Sequence, residues 1–219
     1  MYLHSVNVGQ AREISFRGQA VSTGIYKEPV TGPVRVERET LAGDRQVDLR
    51  FHGGVDKAVY CYAQEHYAYW AEALGRGDLQ PGAFGENFTT VGLNEETLGI
   101  GDTLAIGNAV FQVTQPRVPC FKLGVKFGSA GFVKQFMNAQ RTGWYLRVLR
   151  EGTVAAGMPI EHMPYVSERG QRLTLAQVNR LHFFEPDDHA GLREALENPH
   201  LSQSWREELH ALLPPTGTA

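Results

Sequence analysis

The sequence predicts a mainly β body with helices, followed by a small three-helix domain, and three observations predict it. Twenty-four glycines and eleven prolines in 219 residues are more than a helical bundle accepts, and they suit short strands joined by tight turns. Apolar residues recur at a period of two in several short runs before Met163. After Met163 the period lengthens to that of amphipathic helices. The division falls near residue 165, with residues 1–165 as the β-rich body and 166–219 as the helical domain.

Val34 and Val36 lie two apart, a strand spacing. Ala58-Val59-Tyr60-Cys61-Tyr62 is a run of β-branched and aromatic residues that favours a strand. Tyr67, Trp70, Ala71 and Leu74 fall at i, i+3, i+4 and i+7, one stripe of a helix, with Gly75 as its stop. Leu104-Ala105-Ile106 and Val110-Phe111-Gln112-Val113 flank Gly107-Asn108-Ala109, a hairpin signal. Phe132, Val133, Phe136 and Met137 share a face of a short helix. Trp144, Leu146 and Val148 alternate with Tyr145, Arg147 and Leu149, and Glu151-Gly152 predicts a second hairpin returning through Val154.

In the last part, Thr174 and Gln177 are placed to form a capping box for a helix running to Phe183. Asp187 or Asp188 caps a second helix, which carries Leu192, Ala195 and Leu196. A third spans Gln203 to Leu213, with Trp205, Leu209, Leu212 and Leu213 on one face. Helices this short are marginal alone, so they are expected to pack together against the β-rich body.

Charge and composition remove several classes of function. The net charge is -3, and no run of Lys or Arg forms a nucleic-acid or membrane patch. No apolar stretch reaches the roughly 18–20 residues that span a bilayer, and the first residues lack the basic and apolar regions of a signal peptide. Two cysteines, Cys61 and Cys120, are too few for a disulfide framework or an all-cysteine zinc site. A cytoplasmic protein is the expectation. Zincin, Walker A, dinucleotide-binding and nucleophile-elbow motifs are absent from the sequence.

Three patches hold side chains suited to chemistry. Asp44 and Arg45 precede His52-Gly53-Gly54-Val55-Asp56-Lys57, where bare amides, an imidazole and an ammonium converge as a phosphate would require. A plain surface turn with exposed charges reads equally from that spacing. Gly82-Ala83-Phe84-Gly85-Glu86-Asn87 places an amide able to donate and accept at a heterocycle edge, or forms a long capped loop. Pro116-Arg117-Val118-Pro119-Cys120-Phe121-Lys122 follows a strand directly. Its cations favour a thiolate, the form that attacks and binds metals, while burial as packing is the other reading. Cys61, between two tyrosines in a strand, reads as core.

Taken in order, Gly43-Asp44-Arg45, the stretch from His52 to Tyr60, the stretch from Gly82 to Asn87, Ile100-Gly101-Asp102 and the stretch from Pro116 to Cys120 resemble the YiiM-like branch of the MOSC family. The resemblance implies an antiparallel β-barrel-like fold followed by a three-helix domain, with a cleft for a molybdenum–molybdopterin cofactor. It places the molybdenum ligand and catalytic role on Cys120. Cofactor contacts fall on Asp44, Arg45, His52, Gly53, Gly54, Lys57, Asn87, Arg117 and Lys122, with Asp44 orienting Arg45 or His52. The implied activity is reduction of N-hydroxylated small molecules, such as N-hydroxylated purines, to amines. Electrons would come from a separate flavin-type reductase, since the chain carries no flavin, iron–sulfur or haem motif. A sulfur carrier using a Cys120 persulfide and a non-catalytic cofactor carrier are the alternatives, and a homodimer is left open.

Overall fold

A computed structural model describes residues 1–47 and 53–215. The strands are β1 Tyr2–Val8, β2 Arg12–Phe16, β3 Gln19–Thr23, β4 Glu28–Pro29, β5 Val34–Val36, β6 Val59–Ala63, β7 Phe88–Val91, β8 Thr103–Ile106, β9 Ala109–Pro116, β10 Trp144–Arg150, β11 Gly152–Val154 and β12 Ile160–Met163. The helices are α1 Glu65–Leu74, α2 Phe121–Lys126, α3 Phe132–Asn138, α4 Leu175–Phe183, α5 His189–Leu196 and α6 Gln203–Ala211. Among the described residues, no helix is long and apolar enough to cross a membrane.

Eight strands form one curled sheet in the order β12-β8-β9-β10-β6-β7-β1-β4. Its pairings are antiparallel except that of β6 with β7. The curl brings the two ends of the sheet together. On the edge away from β7, β1 pairs with β4 through Asn7 and Val8 and bridges to Pro159 through Tyr2. Leu3 N donates to Met158 O at 2.9 Å, and Ile160 N donates to Met1 O at 3.2 Å. These bonds make the body barrel-like, as the family resemblance implied.

Alternation along the strands feeds two cores. On β6, Val59, Cys61 and Ala63 point into the main core, while Tyr60 and Tyr62 join an aromatic cluster with Tyr67, Trp70, Phe84, Phe132 and Phe136. All five β6 residues are therefore buried, and Cys61 is core as expected. The main core runs without a break from Leu3, Phe88, Phe111 and Trp144 into Leu175, Val178, Leu192, Trp205 and Leu209 of the helical domain. The helices thus share the apolar interior of the barrel.

Local signals account for those helices. Thr174 and Gln177 form the predicted reciprocal cap of α4, Asp188 accepts from Gly191 N to cap α5, and Ser202 caps α6. Helix α6 also grips β9. Ser202 N donates to Thr114 O at 3.1 Å, Trp205 Nε1 donates to Pro116 O at 3.1 Å, and Ser204 Oγ donates to Gln115 Oε1 at 3.3 Å.

The second predicted hairpin does not form. Both edges of β10 are taken, by β9 and β6, so β11 has no edge there and pairs instead with β5, Val154 opposite Val34. The β2–β3 hairpin pairs with itself alone and stands apart from the barrel sheet.

Candidate functional site

The segment after β9 carries the one reactive-looking thiol. Arg117 N donates to Gly143 O at 3.0 Å, which holds the chain to the start of β10, and Leu123 N donates to Cys120 O at 3.0 Å as α2 begins. Cys120 is extended, at φ -114° and ψ 171°, and half-buried. It lines a cleft together with Thr23, Lys27, Arg45, Lys57, Tyr60, Asn87, Arg117, Lys122 and Tyr145. The cleft has a cavity volume of about 80 Å³.

The cations around the cleft are held in different ways. Arg117 is 5% exposed, and its Nη1 donates to Tyr60 Oη and Phe84 O, both at 3.0 Å. Its guanidinium carbon lies 4.5 Å from the Tyr60 ring centroid. The Tyr60 hydroxyl donates to Thr142 O at 2.8 Å. Arg117 is therefore a fixed positive wall.

Lys122 is different. It is 7% exposed and lines the cleft, yet among the described residues its ammonium meets no hydrogen-bond or ion-pair partner. An ammonium that lines the cleft uncommitted to the described residues is placed to take an anionic ligand. Burial lowers the Lys57 pKa, against the opposing pull of Glu208 and Asp56. Glu208 belongs to α6, so the helical domain reaches the rim of the cleft.

Among the described residues, Asp44 does not pair with Arg45. It pairs with Lys27, whose Nζ lies 2.5 and 2.6 Å from its two carboxylate oxygens. It also accepts from Gly9 N at 2.9 Å and from Asn87 Nδ2 at 2.9 Å. Arg45 is left exposed at the mouth. The reason is proximity: a sealed ammonium is the stronger claimant on a carboxylate 1% exposed. Burial lowers the Lys27 pKa, and Asp44 opposes that shift.

The Asn87 amide is also engaged by protein. Its Oδ1 accepts from Tyr60 N at 3.2 Å, and its Nδ2 donates to Asn7 O at 3.3 Å as well as to Asp44. It lines the cleft as a brace. Glu86 beneath it accepts from Gly82 N at 2.8 Å, Phe84 N at 3.1 Å and Thr89 Oγ1 at 2.9 Å, and also from Tyr67 Oη. That loop is consequently rigid.

Two glycines let the walls close up. A Cβ on Gly24 would sit 2.1 Å from Arg45 O, and one on Gly82, at φ 87°, would sit 2.5 Å from Lys27 O. Gly53 and Gly54 do not line the cleft. Gly54, at φ 87°, accepts from Lys57 N at 3.0 Å and bends the chain that delivers Lys57. His52 lies outside the described residues.

Lys27, Tyr60 and Tyr145 were not singled out by sequence. Tyr60 alternates with the core residue Cys61, and Tyr145 alternates with Trp144 and Leu146. Period two therefore places both tyrosines on the far face, where the cleft is. Burial raises the Tyr145 pKa; Arg117 opposes this, and Cys120 adds to it. Lys27, followed by Glu28-Pro29, carries no such signal. Among the described residues, no cluster of three or more His, Cys, Asp and Glu side chains is placed to hold a metal ion, so protein ligation of a metal here would rest on the thiol.

The chain resembles known proteins over nearly its whole length. A family model described as MOSC domain matches residues 48–161, and one described as YiiM-like, 3-alpha helix domain, matches residues 173–213. The chain is 40% identical over 203 residues to the uncharacterized protein YflK of Bacillus subtilis, covering 92% of this chain and 90% of that protein. It is 35% identical over 158 residues to a protein named reductase from Gibberella moniliformis, covering 71% of this chain and 28% of the larger protein. The crystal structure of YiiM from Geobacillus stearothermophilus superposes with a TM-score of 0.81 at 34% identity, covering 97% of this chain and 99% of that one.

Proposed function

The chain belongs to the MOSC family, with a YiiM-like three-helix domain behind its barrel, and from that premise we propose that it is a molybdenum–molybdopterin oxidoreductase that reduces N-hydroxylated bases to amines. The observation that carries the reading is one cleft wall. On it a half-exposed thiol, Cys120, stands beside Lys122, whose side chain is largely buried and whose ammonium has no partner among the described residues.

That donor set fits the cofactor. Thiolate sulfur suits a soft site that already holds pterin sulfur, so Cys120 would hold the metal. Lys122 and Arg45, neither committed to a carboxylate among the described residues, would take an anionic end, with Lys57 at the rim. Asp44, Asn87 and Gly54 would act behind them by fixing the walls, as ligand-orienting residues do around metals. When bound, the cofactor supplies two-electron redox chemistry.

The reaction balances as R–NHOH plus two electrons and two protons, giving R–NH2 and water as the N–O bond breaks. The electrons would come from a separate flavin-type reductase. A MOSC-like stretch within a fungal protein named reductase supports this direction of chemistry.

The test is metal analysis and turnover on protein produced in cells that make the cofactor, beside Cys120→Ala. Molybdenum and amine formation should be present in the parent and lost together in the variant, with the fold unchanged. Turnover retained by Cys120→Ala overturns the proposal. So does a persulfide on Cys120, an added mass of roughly 32 Da, in a protein that holds no molybdenum.

A further inference from the structure

Exposed apolar residues stand next to Cys120 in the chain, outside the lining of the cationic cleft. Phe121 follows Cys120 directly and is 40% exposed, and Val118, two residues before it, is 38% exposed.

The β2–β3 hairpin leans on this surface. Its two-residue turn has Arg17 at φ 52° and Gly18 at φ 77°, both in the left-handed region that a twisted hairpin requires. The register sets Ile14 opposite Val21 and Phe16 opposite Gln19. Ile14, Phe16 and Val21 therefore share one face and are half-buried, while Glu13, Ser15, Ala20 and Ser22 on the other face are exposed. The Phe16 ring lies 4.3 Å from Phe121, 30° from parallel. The base of the hairpin, Thr23-Gly24, and the adjoining Ile25 line the cleft itself.

The site thus has two chemically distinct sides. The cleft lining is cationic and hydrogen-bonding, while the Phe16–Phe121 pair is apolar and joins it through Phe121, which follows Cys120, and through the hairpin base at Thr23-Gly24. A flat ring stacks on an aromatic face whatever its hydrogen-bonding edge, whereas an aliphatic chain gains far less there.

We propose that Phe16 and Phe121 form the wall against which the ring of a planar heteroaromatic substrate lies, making Phe16 a specificity-determining residue brought to the thiol by the hairpin. This rests on the reduction proposed above for the identity of the reaction, but the wall itself can be read by binding alone. Phe16 sits on a hairpin paired only with itself, so its replacement leaves the barrel core untouched.

The experiment uses the purified full chain and adenine as the probe, with calorimetric titration of the parent, Phe16→Ala and Phe16→Tyr. The parent and Phe16→Tyr should bind adenine alike, and Phe16→Ala should bind about tenfold more weakly. Molybdenum content and melting temperature should be the same in all three. In turnover, Phe16→Ala should raise KM for an N-hydroxylated purine and leave KM for acetohydroxamic acid, which has no ring, where it was. Equal adenine affinity in Phe16→Ala and parent, or no adenine binding by the parent, overturns the wall. If adenine binding falls as expected while no chain reduces either compound, the wall stands and the reductase reading fails.

Discussion

Lys27 and Asp44 meet behind the cleft as a sealed ion pair, the ammonium 2.5 and 2.6 Å from the two carboxylate oxygens, with side chains 7% and 1% exposed. Asp44 also receives Gly9 N and Asn87 Nδ2, so one carboxylate joins the first strand, the loop before β7 and the cleft lining.

Removing that carboxylate leaves a buried ammonium and two donors uncompensated. Asp44→Ala is expected to lose roughly 3–5 kcal/mol of stability, the usual cost of breaking one side of a buried pair, read as a lower denaturant midpoint. Replacing both Lys27 and Asp44 with apolar residues should lose less than Asp44→Ala alone, because no charge is then stranded.

The two thiols should react differently. Cys61 is fully buried, and burial pushes its thiol pKa up, whereas Cys120 opens into the cleft. Iodoacetamide on the native protein should label Cys120 alone, and labelling after denaturation should reach both, as peptide mass spectrometry would show. Native labelling of Cys61 at a comparable rate would contradict the core placement.

Lys126 donates to Ile25 O at 3.1 Å and Gly82 O at 2.7 Å. Burial, reinforced by Arg117, Arg12 and Lys27 and opposed by Glu86, lowers its pKa to about 8. Below that pH the folded protein bears the cost of a buried cation. From about pH 8 up to the ordinary value of 10.5, the unfolded chain binds more protons than the folded one, so this group's contribution to stability rises with pH. Relative to Lys126→Met, the parent should gain on the order of 1–3 kcal/mol across that window, measured by denaturant titration at each pH. A flat difference would remove the effect from Lys126.

The helical domain completes the barrel interior, because Leu175, Val178 and Trp205 belong to the same apolar core as Leu3 and Phe111. Trp205→Ala should cost about 3–5 kcal/mol. A chain ending at residue 172 should expose the open core and aggregate or bind a hydrophobic dye. A stable, monomeric truncation would show that the barrel seals itself.

Elements with a strong period were legible in sequence. The stripe from Tyr67 to Leu74, the alternation around Trp144 and the caps at Thr174 and Asp188 each need only local chemistry, and each forms. Val34 and Val36 marked β5, but β2, β3 and β4 were not legible individually, because β2 and β3 are half-exposed and β4 has two residues, giving little apolar pattern to read. The second hairpin failed because pairing depends on which edge is free, a property of the whole sheet.

At the site, Arg45, Lys57, Asn87, Arg117, Lys122 and Cys120 do converge on one cleft from three separate stretches. The partner of Asp44 was illegible because Lys27 lies in another segment and only the folded chain brings the two together. Tyr60 and Tyr145 carried a usable clue. A strand whose one face is core has a second face, and aromatic residues there call for something to pack against.

The bonds from α6 to Thr114, Gln115 and Pro116 engage three successive residues just before the cysteine segment. A one-residue slip of a strand turns each side chain to the opposite face, and here it would turn the thiol away from its pocket. Helix α6 works against that slip as a pawl works against a toothed rack. A helix outside the sheet thereby guards the aim of an atom some eighty positions earlier.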